Sequence, residues 1–118
     1  MNRESLIAAI LDAAARPCPQ IVEVPGLRHK ATGKVCGIHG LPFNFQRNDY
    51  ESISLGFAYR DGTNGTTYGT RAKTQQELIE QHEARERTNR AQFAAVLAEA
   101  TDEQVLSQAS YWIPAIVA

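Results

Sequence analysis

The sequence has little that would link it to a secretory pathway, a membrane or a nucleic acid. Its 118 residues include only two cysteines, too few for the disulfide framework of a small secreted domain. No apolar run approaches the roughly 20 residues of a membrane helix. Twelve basic and thirteen acidic residues leave a net charge of -1, so the electrostatic signature of a nucleic-acid binder is absent. We therefore expect a cytoplasmic protein with neither a membrane nor a nucleic acid as its partner.

Sequence signatures of catalysis are also absent. The sequence has no nucleophile elbow, no phosphate-binding glycine loop and no H-E-x-x-H helix. The glycine- and threonine-rich stretch at residues 61–69 lacks the lysine of a P-loop and the acidic spacing of a calcium loop. We expect no enzymatic activity, no catalytic residue and no cofactor.

Two cysteines and two histidines form the candidate metal site. Cys36 and His39 have the C-x-x-H spacing of a zinc knuckle, but Cys18 and His29 lie too far apart in the sequence for the other half of such a site. In an extended strand, the odd-even offset of Cys36 and His39 also directs their side chains to opposite faces. We expect no bound metal, and a zinc-stabilised module is the less favoured alternative.

The first forty residues predict a helix followed by a loose hairpin. Apolar side chains at helical spacing indicate a helix over residues 3–15, which Pro17 ends. Extended stretches follow at residues 20–24 and 33–40. Pro25 and the glycine after it indicate a turn at the end of the first stretch.

The clearest strand prediction covers residues 52–60, where apolar and polar residues alternate strictly. Asp-Gly and Asn-Gly pairs follow, and each pair favours a tight two-residue turn with positive φ. A partner strand then returns at residues 66–71. With the turn at either pair, Tyr68 shares a face with Phe57 and Tyr59, which supports a hairpin.

Two C-terminal helices complete the predicted fold. Thr74 and Glu77 form a capping-box pattern at the start of a long helix. Thr101 and Gln104 repeat the pattern at the start of the next helix. The fold class is therefore α+β: an N-terminal helix, a small antiparallel β-sheet made of hairpins, and two C-terminal helices. No linker interrupts the chain, so we predict a single domain over residues 1–118.

The long helix has an apolar stripe that is interrupted in its middle. Leu78 and His82 lie at one end of the stripe and Phe93 at the other, while Glu86 and Asn89 fall on the same arc between them. Two interpretations stay open. Either both apolar ends pack internally and the polar middle faces solvent, or one end packs internally and the other docks on a partner.

The predicted partner-binding surface lies towards the C-terminal end of the sequence. Trp112 shares a helical stripe with its apolar neighbours, and tryptophan is a frequent anchor of protein interfaces. Core packing of the same stripe against the N-terminal helix is the alternative. We expect a protein partner or self-association into a homo-oligomer. The candidate partner-binding residues are Phe93, Val96, Leu97, Leu106, Trp112, Ile113 and Ile116.

Residues 6–25 have the sequence LIAAILDAAARPCPQIVEVP, which resembles the start of tail assembly chaperones of long-tailed bacteriophages. The similar features are an alanine-rich first helix, the Val-Glu-Val-Pro stretch at residues 22–25 and the polar-aromatic cluster at residues 47–51. The resemblance covers about the first half of the chain. An Asp-Gly turn followed by C-terminal helices is compatible with it.

The resemblance implies a non-enzymatic protein that binds the tape-measure and tail-tube proteins before the tail is assembled. Such proteins act in the cytoplasm of the infected cell, and they have no catalytic residues to carry over. The competing interpretation is a small inhibitor or adaptor, itself encoded by a phage or by a cell, that binds a host protein through the same surfaces.

Overall fold

The computed structural model describes residues 2–41, 44–63 and 65–117, without the side chains of His39, Ile116 and Val117. The elements follow in the order α1 (Arg3–Ala14), β1 (Gln20–His29), β2 (Val35–Gly37), two short 3-10 turns, β3 (Tyr50–Arg60), β4 (Thr67–Ala72), α2 (Gln75–Glu99), α3 (Asp102–Trp112) and α4 (Pro114–Val117). The predicted α+β class, with a helix first and helices after the sheet, is confirmed. Among the described residues, no helix is long and apolar enough to cross a membrane.

The chain forms two compact units. The sheet unit comprises Pro19–Gln81, and the helical unit comprises Met1–Cys18 together with His82–Ala118. Helix α2 contributes its first two turns, roughly, to the sheet unit and the rest to the helical unit. The single domain expected from the length of the chain stays a prediction.

The sheet unit is a four-stranded antiparallel sheet with the strand order β2-β1-β3-β4. Tyr59 in β3 pairs with Tyr68 in β4, and the two rings lie 5.7 Å apart, as the predicted hairpin requires. The Tyr59 hydroxyl donates a hydrogen bond to the backbone oxygen of Leu78, which ties the first turns of α2 to the sheet. The core of this unit consists of Tyr59, Ala72 and Leu78, with Ile21 and Phe57 packed against them.

Strand β1 differs from its prediction because it continues through Pro25 and Gly26 instead of turning there. Proline lacks a backbone N–H, and Pro25 lies where the pairing of β1 with β3 shifts register, between Glu23 and Pro25. A Cβ at Gly26 would collide with the side chain of Leu55. Gly26 therefore leaves room for the side chain of Leu55 on the neighbouring strand β3. The predicted turn at this position is wrong.

The loop between β3 and β4 is longer than the predicted two-residue turn. The backbone N–H of Asp61 donates to the backbone oxygen of Thr66 at 2.8 Å, and this bond closes a wider loop. Gly65 has the expected positive φ, at 73°. Asn64, the other half of the predicted Asn-Gly turn, lies outside the described residues.

A glycine in β3 breaks the strict alternation predicted over residues 52–60. Gly56 has a φ of 105°, which other residues adopt only with strain. A Cβ at this position would collide with the backbone oxygen of Ala72. Between Ser54 and Phe57, β3 has one residue more than the paired stretch of β1, and the successive residues Ala58 and Tyr59 are both buried.

Both predicted capping boxes are found, one of them in altered form. At α3, the Thr101 side chain accepts the N–H of Gln104 at 3.1 Å, and the Gln104 side chain accepts the N–H of Thr101 at 2.9 Å. At α2, the Thr74 hydroxyl accepts the N–H of Glu77 at 3.2 Å. The Glu77 carboxylate, however, accepts the N–H of Lys73, one residue earlier than the pattern predicts.

In the helical unit, an arginine near the N-terminus caps the C-terminal end of α2. Arg3 donates to the backbone oxygens of Leu97 at 3.0 Å, of Ala98 at 3.3 Å and of Ala100. Its other terminal nitrogen forms an ion pair with Asp102 at 2.6 Å. The last carbonyls of a helix have no intrahelical donor and carry partial negative charge, so a cation there is favourable. The core of this unit consists of Leu6, Ile10, Leu11, Leu97, Val105 and Ala109.

Candidate functional site

The predicted partner-binding residues divide between the core and the surface of the helical unit. Leu97 is only 1% exposed, so it is a core residue and offers no surface to a partner. Val96 and Leu106 are 65% and 51% exposed. Ile113 is half-buried against the core, and the side chain of Ile116 lies outside the described residues. The buried stripe of α3 contains Val105 and Ala109, and Leu106 lies outside it. Whether the predicted residues bind a partner stays a prediction.

The remaining two predicted residues, Phe93 and Trp112, belong to a row of three aromatic rings. The centroids of Phe93 and Trp112 lie 6.3 Å apart, and Tyr111 stands edge-on to Trp112 with a centroid distance of 5.0 Å. Phe93 and Trp112 are half-buried against the core, whereas Tyr111 is 74% exposed. The Trp112 indole N–H donates to the side chain of Gln108 at 3.2 Å. These three residues, called the aromatic row below, lead from the core to the surface.

Polar side chains in the middle of α2 hold the segment that follows α1. His82 Nε2 lies 3.0 Å from the backbone oxygen of Arg16, and since a carbonyl only accepts, this nitrogen carries the proton. Glu86 accepts the backbone N–H of Arg16 at 3.1 Å. One turn further along α2, Arg90 forms an ion pair with Asp12 of α1 at 2.9 Å. The contacts to Arg16 are called the Arg16 clamp below.

The Arg16 clamp explains the interruption in the apolar stripe of α2. The two apolar ends of the stripe are buried, with Leu78 in the core of the sheet unit and Leu97 in that of the helical unit. Between them, His82 and Glu86 lie one turn apart, and they bind the backbone oxygen and the backbone N–H of Arg16, respectively. The polar middle of the stripe therefore forms hydrogen bonds within the chain. Glu86 is half-buried there and not fully exposed to solvent.

A groove of about 530 Å³ lies beside the Arg16 clamp, between the last turn of α1 with the segment that follows it and the middle of α2. Part of its lining is apolar, and the rest is charged or polar. Phe93 belongs to both the groove and the aromatic row, so it connects these two features. The apolar lining residues are Leu11, Ala14, Ala15 and Phe93, and the charged ones are Arg16, Glu83, Glu86, Arg87 and Arg90.

The four residues of the candidate metal site form no cluster in the part of the chain that the structure describes. Cys18 and Cys36 are free thiols. His29 Nδ1 accepts hydrogen bonds from two backbone N–H groups of the turn after β1, both at 3.2 Å. This ring nitrogen is therefore already engaged and is not available to bind a metal. The side chain of His39 lies outside the described residues. Among those described, no group of three or more His, Cys, Asp or Glu side chains is placed to hold a metal ion. That the protein folds without metal stays a prediction.

Comparisons of this chain with protein-family models, with curated proteins and with solved structures found no match. The resemblance of residues 6–25 to tail assembly chaperones therefore stays an expectation from the sequence. The functional conclusion depends on the geometry of the helical unit.

Proposed function

We propose that this protein is a non-enzymatic protein-binding protein and that its helical unit carries the binding surface. The aromatic row is the observation that supports the proposal. Tyr111 is 74% exposed and stands edge-on to Trp112, which in turn packs near Phe93. Tyrosine and tryptophan are enriched among interface hot spots, because each removes a large area from water with few rotatable bonds. An exposed tyrosine supported by a half-buried tryptophan is a ready-made anchor of this kind.

In its more specific form, the proposal follows the sequence resemblance. The partner is then a tape-measure or tail-tube protein of a long-tailed bacteriophage, and binding takes place in the cytoplasm of the infected cell. The support for this form is the resemblance at residues 6–25, which encompass most of α1 and the start of β1. A host protein as the partner is the competing outcome of the experiments below.

The test uses the single tryptophan of the chain, Trp112. Incorporation of 5-fluorotryptophan gives a single ¹⁹F resonance inside the aromatic row, and unlabelled tail-tube or tape-measure protein adds no fluorine signal. Binding through the row shifts or broadens this resonance. Tyr111→Ser should weaken binding by about tenfold or more, the cost of losing a hot-spot side chain. Ser107→Ala, an exposed position on the same helix, should leave the affinity unchanged.

Two results would contradict the proposal in different ways. A partner that binds without changing the Trp112 resonance, and equally well to the Tyr111→Ser variant, would place the interface elsewhere. Failure of both tail proteins to bind, combined with binding of a host protein that shifts the resonance, would replace the tail-assembly form with the adaptor or inhibitor form.

A further inference from the structure

We propose that the groove of the helical unit binds an amphipathic helix of the partner and that acidic residues flank the apolar face of this helix. The inference rests on the proposed function and assigns the chemistry of the partner segment. It follows from the length of the groove, its apolar lining and the balance of its charges.

The groove has the length of a helical recognition segment. Its wall on α2 runs from His82 to Phe93, which corresponds to about 17 Å at the helical rise per residue. Helices that dock in grooves use apolar anchors at positions i, i+4 and i+7, which span about 11 Å along the axis. Three such anchors therefore fit along the α2 wall.

The opposite wall lets a helix approach closely. Leu11 on this wall is buried, and the next lining residues along α1 and its end are Ala14 and Ala15. Alanine side chains are too short to fill the space beside them, so the volume of about 530 Å³ is left for apolar side chains of a partner. Phe93 gives the α2 wall an aromatic surface at its far end.

The charges that line the groove favour an acidic partner. Three arginines and two glutamates line it, an excess of one positive charge in a chain whose net charge is -1. Arg90 is already paired with a carboxylate of α1, and Glu86 accepts a backbone N–H. Among the described residues, no ion pair involves the side chains of Arg16, Arg87 or Glu83. Among the described lining residues, two arginines, one on each wall, and one glutamate therefore have no ion-pair partner.

Guanidinium groups bind carboxylates through paired hydrogen bonds, which fix orientation as well as charge. Arg16 lies on the segment after α1 and Arg87 on α2. A helix lying between them is therefore recognised best when Asp or Glu residues stand on both sides of its apolar face. A helix with lysines at these flanks would place like charges against the two arginines.

The experiment uses the full chain and two fluorescein-labelled peptides of about five helical turns. Both peptides carry leucine at i, i+4 and i+7. One has glutamates beside this face, and the other has lysines at the same positions. Fluorescence anisotropy should show the glutamate peptide binding at least about tenfold more tightly than the lysine peptide at low salt. Decanoate is titrated separately, as a small molecule with the same apolar and carboxylate chemistry.

Charge reversals locate the binding. Arg87→Glu and Arg16→Glu should each lower the affinity for the glutamate peptide by about tenfold, because each replaces a cation of the groove that has no ion-pair partner with an anion. Arg85→Glu is the matched control, since it makes the same change on an exposed part of α2 outside the groove lining. Its effect should stay below about twofold. All three positions are exposed, so the thermal melting of the variants should match that of the unmodified chain.

Equal losses from Arg87→Glu and Arg85→Glu would overturn the inference, because they would indicate general attraction and not a site. Binding of neither peptide would overturn it, as would binding of decanoate alone. Failure of this inference is distinguishable from failure of the proposed function. If a protein partner depends on Tyr111 but not on Arg87 or Arg16, the function stands and the groove assignment is wrong. If the peptide binds as expected but no protein binds the aromatic row, the groove assignment stands and the function in its proposed form is wrong.

Discussion

Replacing Arg3 with methionine should destabilise the helical unit far more than an ordinary surface substitution does. Arg3 donates to three backbone oxygens at the end of α2, and its side chain is 35% exposed. Hydrogen bonds that involve a charged group contribute about 1.5–3 kcal/mol each when measured singly. All three bonds come from one guanidinium nitrogen with only two N–H groups, at a partly exposed site. Their contributions therefore do not add, and we expect a total loss of about 2 kcal/mol. Methionine keeps the apolar stem and removes the donors together with the positive charge that pairs with Asp102.

Urea unfolding followed by far-UV circular dichroism measures this loss directly. The midpoint should fall at an unchanged m-value, and the melting temperature should drop by about 8 °C. Asp102→Asn is the control that separates the two roles of Arg3. Asp102 is 87% exposed, and exposed ion pairs contribute about 0–1 kcal/mol, so this variant should lose no more than about 0.5 kcal/mol. If Asp102→Asn costs as much as Arg3→Met, the ion pair and not the helix cap is the source of stability, and our account of this contact is wrong.

Three further predictions concern the sheet unit and the metal question. Gly56→Ala should lower the free energy of unfolding by about 3 kcal/mol in urea titrations, because positive φ and a collision with the backbone oxygen of Ala72 act together. The control is Gly33→Ala, where φ is 74° but an added Cβ would meet nothing, so this variant should lose only about 1 kcal/mol. Similar losses at both glycines would refute the role of the collision. Tyr59→Phe should lower the free energy of unfolding by about 1–2 kcal/mol in the same titrations, since it removes the hydroxyl that donates to the buried backbone oxygen of Leu78. An unchanged midpoint would mean that this hydrogen bond contributes no net stability. Treatment with EDTA should leave the melting curve unchanged, and a large fall in melting temperature together with stoichiometric zinc in the untreated protein would overturn the expectation of metal-free folding.

The parts of the fold that were predicted correctly depend on local signals. The capping pattern at Thr101 and Gln104 starts α3 because both of its hydrogen bonds lie within four residues of one another. The alternation around Tyr59 and the glycine-rich loop after it likewise indicate a hairpin without reference to the rest of the chain. Local hydrogen-bonding and periodicity therefore suffice for the order of the elements and for the α+β class.

The parts that were missed depend on contacts between distant segments. Pro25 and Gly26 have the composition of a turn, and only the packing of Leu55 against Gly26 shows why a strand needs them. Arg3 caps a helix whose end lies more than ninety residues further along the sequence. Gly56 fits an alternating strand in the sequence, but it has positive φ at the irregularity where β3 has one more residue than its partner β1.

The candidate site was predicted only in part. Phe93 and Trp112 were found because they lie on apolar stripes, whereas Tyr111 was missed because it points away from the stripe of α3 and is exposed. The groove was missed because it forms only when the end of α1 meets the middle of α2. The one sequence signal for it was the pair His82 and Glu86, two polar residues one turn apart in the interrupted part of the apolar stripe.

The central claim is that the helical unit, and not the sheet unit, carries a protein-binding surface. Site-specific photocrosslinking in producing cells tests it most directly, because the crosslink captures the partner whatever its identity. p-Benzoylphenylalanine replaces Tyr111 in one variant and Tyr68, a 45% exposed tyrosine of the sheet unit, in the matched control. Our account predicts one discrete crosslinked protein, identified by mass spectrometry, from position 111 and none from position 68. Adducts of equal yield at both positions, or a discrete adduct only at position 68, would contradict it.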